Sequence, residues 1–146
     1  MAKLGRYSAD RKKIQEITGS KVIKVSECGT LFMLNVGTSN ASNIDLPDPG
    51  EAGKGWWCKF IVATESTAQS AITIRCLDTA GSAQNDKFST IEFIAADAAG
   101  EAVVDSDTMQ IAAAAIKGVQ VEVVTDGVQW YALAFSSADA GIVVAS

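Results

Sequence analysis

Histidine is absent from the 146 residues. Its absence removes any Ser-His-Asp or Cys-His pair, together with the side chain that most often acts as a general base near neutral pH. Cysteine is scarce. Cys28, Cys58 and Cys76 are an odd number with no CxxC spacing, which argues against a structural zinc site and a secreted disulfide framework. Buried thiols of a protein made in a reducing cytosol are the expectation. No window approaches the ~20 apolar residues of a membrane span. The basic N-terminus runs into RYSADRKKIQEITGS, so no signal peptide is expected. No P-loop or dinucleotide fingerprint occurs, and no cofactor or metal is expected.

Carboxylates are the acid-base candidates left. Asp105 and Asp107, two apart, would share a strand face, but acidic residues are normally solvated. Asp45 and Asp48 flank a proline turn, where aspartate bonds the local backbone. Neither pair has a supporting pattern, and the chain reads as non-enzymatic.

What is present is a large apolar fraction, 48%, with 20% charged residues. That composition suits one folded domain, or a domain with an arm. The charge is uneven. Seven of the 12 basic residues (Lys3, Arg6, Arg11, Lys12, Lys13, Lys21 and Lys24) lie in the first 24 positions, which carry +5 against −10 for the rest. Residues 1–20 read as an extended basic arm that orders on an acidic partner, and residues 21–146 as the body. An acidic body, with Tyr7 as the arm's aromatic, is a poor match to nucleic acid.

The body has the spacing of short strands. KVIKV alternates over residues 21–26, LFMLNV (31–36) is apolar on both faces as a sandwiched strand would be, and Pro47 ends a brief strand at 44–46. Residues 56–64 and 71–77 read as two strands, possible neighbours joined by ESTAQS. A further strand covers 88–95 and a short one closes the chain at GIVVAS. Residues 106–118 carry helix signals, namely a serine cap and an alanine run, yet read as strand. The expected fold is all-β, an antiparallel β-sandwich or barrel-like domain.

The organising element is a hairpin over residues 118–135, closed at Asp126-Gly127 by a two-residue turn. That turn would set Val123 against Trp130 and Val121 against Ala132, with Val119, Val121, Val123 and Trp130 facing the core. Val124, Tyr131, Leu133 and Phe135 then occupy the other face without an obvious partner. With Trp57 they are the candidate subunit contacts. Consecutive strand residues point to opposite faces, so one of Trp56 and Trp57 belongs to the core and the other to a sheet edge or subunit contact. An exposed Trp also suits a sugar platform.

The segments KVIKVSECGTLFMLN, NIDLPDPGEAGKGWWCKFIVAT, AITIRCLDTAG and IKGVQVEVVTDGVQWYALAF together resemble the head decoration, or cement, proteins of tailed bacteriophages. The matching positions are Leu46-Pro47, Gly53 or Gly55, Phe60-Ile61-Val62, Gly118, Thr125-Asp126-Gly127 and Trp130-Tyr131. The doubled tryptophan and the alanine run at 112–115 depart from the pattern. The resemblance implies a homotrimer, made in the host cytoplasm, that sits on the outer capsid surface and holds capsomers together. Its partners would be the major capsid protein and itself, without nucleic acid or membrane. Arg6, Tyr7, Arg11, Lys12 and Lys13 would then be the capsid-contact arm. The alternative is a tail-fibre or baseplate domain that touches host glycans through Trp56 or Trp57.

Overall fold

The computed structural model describes residues 12–36, 41–63, 71–94, 100–113, 115, 117–136 and 141–145. Among these residues, twelve strands run in chain order: β1 (Lys13–Ile17), β2 (Lys21–Val22), β3 (Thr30–Leu34), β4 (Ser42–Leu46), β5 (Trp57–Val62), β6 (Ile72–Cys76), β7 (Phe88–Ile94), β8 (Gly100–Ser106), β9 (Thr108–Ile111), β10 (Gln120–Thr125), β11 (Trp130–Ser136) and β12 (Ile142–Ala145). They form a large sheet, β1-β3-β5-β10-β11-β7-β8, and a small one, β12-β9-β6-β4-β2. The two sheets pack into an all-β sandwich.

Both sheets are mixed, not antiparallel. From β1 to β6 the chain alternates between the sheets, so each strand returns beside the one two places earlier and parallel to it. For the same reason β5 and β6, possible neighbours in sequence, lie in different sheets.

Period-2 alternation feeds one core. The large sheet contributes Phe32, Leu34, Phe60, Phe88, Val121, Val123 and Trp130, and the small sheet Ile44, Leu46, Ile72, Ile74, Met109 and Ile111, all essentially inaccessible. Each such side chain stabilises the fold by about 1.5–3 kcal/mol relative to exposure. Phe32 stacks on Phe60 with centroids 5.4 Å apart, and Trp56 meets Trp130 edge-on at 5.3 Å.

Several expectations are corrected. β1 lies within the stretch read as arm; it pairs with β3 and buries Ile17 because that side chain falls on the core parity beside Leu34. The strand expected over 21–26 stops after Val22, where the Glu27 carboxylate accepts from the Lys24 amide and starts a 3-10 turn, Val25–Glu27. β8 was not anticipated. β9 is a strand, as expected, but ends at Ile111; Ser106 Oγ donates to the Phe88 carbonyl instead of capping a helix. Within the turn at 48–55, Asp48 caps one helical turn, α1 (Pro49–Ala52), accepting from the Gly50 and Glu51 amides.

Candidate functional site

The hairpin β10–β11 sits inside the large sheet, flanked by β5 and β7. Its register is Thr125 to Trp130, Val123 to Ala132 and Val121 to Ala134, so the connection has four residues, 126–129, and not two. Asp126 explains the longer loop. Its Oδ1 accepts from the Val128 amide at 2.8 Å and the Gln129 amide at 3.1 Å, while Oδ2 accepts from the Tyr131 hydroxyl at 2.9 Å. Thr125 Oγ1 accepts from the Gly127 amide, and Gly127 has φ +92°. A slip of two residues leaves every side chain on its expected face. Val119, Val121, Val123 and Trp130 are accordingly in the core.

The opposite face is the candidate site. Val124, Tyr131, Leu133 and Phe135 are 38–42% exposed. Their in-register neighbours extend the surface in three rows. One row is Gly29, Trp57, Val124, Tyr131 and Ser89; the next is Ile14, Leu31, Lys59, Glu122, Leu133 and Ile91; the third begins Glu16, Met33, Ile61, Gln120 and Phe135. Trp57 is half-buried here while Trp56 is in the core, its Nε1 donating to the Val25 carbonyl at 2.7 Å. The division expected of the two tryptophans is present, although Trp57 lies on the face of an interior strand and not at a sheet edge.

The small sheet turns a different outer face to solvent. Asn43, Thr73, Gln110 and Val143 form one row and Val22, Asp45, Arg75, Thr108 and Ala145 another, with Gln110 bonded to Thr73 and Arg75 ion-paired to Asp45. Sequence reasoning found the hairpin's share of the apolar face but missed Ile14, Leu31, Met33, Lys59, Ile61, Glu122 and Ile91. The alternation of WCKFIV in β5 was the available signal. LFML in β3 has the composition of a sandwiched strand, whereas Leu31 and Met33 are partly exposed on this surface.

Arg6, Tyr7 and Arg11 lie outside the described residues; Lys12 and Lys13 are exposed at the start of β1. The carboxylate pairs come apart. Asp107 accepts from the Asp86 amide, Asp45 pairs with Arg75, and Asp48 caps α1 and accepts from Gln84 Nε2. Cys58 and Cys76 are buried free thiols; burial pushes Cys58 well up and Cys76 to about 11. Cys28, expected to be buried, is exposed in the turn before β3. Among the described residues, no group of three His, Cys, Asp or Glu side chains could hold a metal, and no helix is long and apolar enough to cross a membrane. No protein-family model, curated protein or solved structure matches the chain.

Proposed function

We propose that this chain is a non-enzymatic structural protein of a tailed-phage virion, a cement protein that grips the outer capsid with its basic arm and associates with copies of itself through the large sheet. The observation that carries the reading is the contrast between the two outer faces. Ile14, Ile91, Val124, Tyr131, Leu133 and Phe135 are all more than a third exposed on the large sheet's outer face, a clustering that monomeric proteins seldom leave uncovered, whereas the small sheet's outer face is polar at its centre and exposes Val22 and Val143 only on its edge strands. The resemblance to decoration proteins supplies the partner.

The arm leads directly into exposed Lys12 and Lys13 at a sheet edge. Several copies in one assembly raise the effective concentration of each arm, so individually modest contacts with an acidic shell surface suffice. Because β1 starts at Lys13, the test deletes residues 1–11 only. The truncated chain is expected to keep the full chain's circular dichroism and self-association but not to co-sediment with expanded capsids. Undiminished co-sedimentation would overturn the assignment of the arm.

One observation favours a second reading, in which the same surface takes host glycans. The Trp57 ring lies over Gly29, two of its carbons 3.7 and 3.9 Å from where a Cβ would be, and it shares a row with Tyr131. Glycan-array binding that disappears in Trp57→Ala, without capsid binding, would replace the cement reading with a tail-fibre or baseplate role.

A further inference from the structure

We infer that the outer face of the large sheet is built to meet the same face of a second copy across a two-fold axis. Its middle row reads Ile14, Leu31, Lys59, Glu122, Leu133, Ile91. Read backwards, the row keeps its apolar residues in place and exchanges the two charges. Consider two such faces stacked with a two-fold axis between them, parallel to the strands and midway between β5 and β10. Every position then lies over its counterpart from the other end of the row. Lys59 faces Glu122 of the second copy and Glu122 faces its Lys59, Leu31 faces Leu133, and Ile14 faces Ile91.

The first row is not its own reversal, but the same axis divides it. Gly29 and Trp57 stand on one side of the axis, Val124 and Tyr131 on the other. Because the Trp57 ring leans over Gly29, it comes opposite Tyr131 of the second copy as an aromatic pair. Aligned sheets pack ~10 Å apart with strand directions within ~30°, a separation that lysine and glutamate side chains bridge. Lys59 and Glu122 are cross-strand neighbours within the chain, yet neither takes part in an ion pair among the described residues.

The apolar residues alone would accept many partners. The reversed charges choose this face, since like charges placed opposite each other penalise other registers. A three-fold contact does not superpose the row on its own reversal, so the inference departs from the trimer that the resemblance implies. It rests on the proposed self-contact of this face and needs nothing from the capsid.

The test is sedimentation equilibrium of the purified full chain, with circular dichroism confirming that each variant is folded. Wild type is expected to dimerise, and Lys59→Glu or Glu122→Lys alone to raise the dimer Kd at least ~tenfold. Mixed one to one, the two variants should form a heterodimer of near wild-type affinity, because an all-acidic centre then meets an all-basic one. A merely intramolecular Lys59–Glu122 attraction would give no rescue on mixing. Leu133→Lys should abolish pairing without rescue by either charge variant. A wild-type chain monomeric at ~0.1 mM, charge variants that pair as wild type does, a mixture that fails to associate, or a trimeric mass would overturn the inference. Capsid co-sedimentation is measured separately, so loss of the pairing and loss of the cement reading remain distinguishable.

Discussion

Asp126 shows how one side chain can fix a loop and orient a surface. Amides of Gln129 and Val128, with the Tyr131 hydroxyl, hold its carboxylate below the usual value of 3.8, and the same bond raises the Tyr131 phenol. Asp48 is lowered by Gln84 Nε2, and Glu27 is lowered because its bonds to Lys21 and the Lys24 amide outweigh the upward push of burial. For carboxylates depressed by folding, the stabilisation is present above the unfolded value and is lost as pH falls through the folded one. The melting temperature should therefore drop below about pH 4, and Asp126→Asn should flatten part of that drop in thermal scans from pH 6 to 2; an unchanged profile would remove Asp126 from the account. In the core, Trp56 fills space against Trp130 and donates to Val25. Trp56→Ala is expected to cost about 3–5 kcal/mol in urea unfolding, and a loss below ~1 kcal/mol would contradict its buried role.

At the scale of elements, the hairpin shows what was legible and what was not. Asp-Gly between β-rich runs located the turn, and parity placed the residues on the correct faces. Loop length was not readable, because it depends on Asp126 finding two amides beyond Gly127 rather than one tight turn. At Gly127, φ is +92° and the nearest atoms to an added Cβ are Lys54 N at 3.7 Å and Lys54 Cβ at 4.0 Å, so a substitution meets backbone strain and not a clash. Gly127→Ala should cost about 1–2 kcal/mol in urea unfolding, with the fold otherwise retained; no loss would show that the loop relaxes. Among the described residues of 107–118 only β9 is strand: Met109 and Ile111 alternate into the core, while the alanine run that follows lies beyond the strand's end. Its end at Ile111 reflects pairing with β6 and β12, which residue propensity does not encode.

At the scale of the molecule, strand composition gave the all-β class, but strand order was hidden. Residues 56–64 and 71–77 look like a hairpin in sequence, and only the alternation of the chain between sheets separates them. The apolar surface was half-visible for a related reason. Its hairpin share is contiguous in sequence, whereas Ile14, Leu31 and Lys59 join it through parallel pairings from distant segments. The molecule thus carries a small sheet whose outer face is polar at its centre, a large sheet whose outer face is rich in exposed apolar side chains, and a basic N-terminal stretch of sequence leading into the large sheet's edge. The proposed function puts the chain on the outer shell of a virion. The most direct measurement is immuno-electron microscopy of intact virions with an antibody against this chain. Label spread over the outer surface of the head is the predicted result; label confined to the tail, or none on virions, would contradict it.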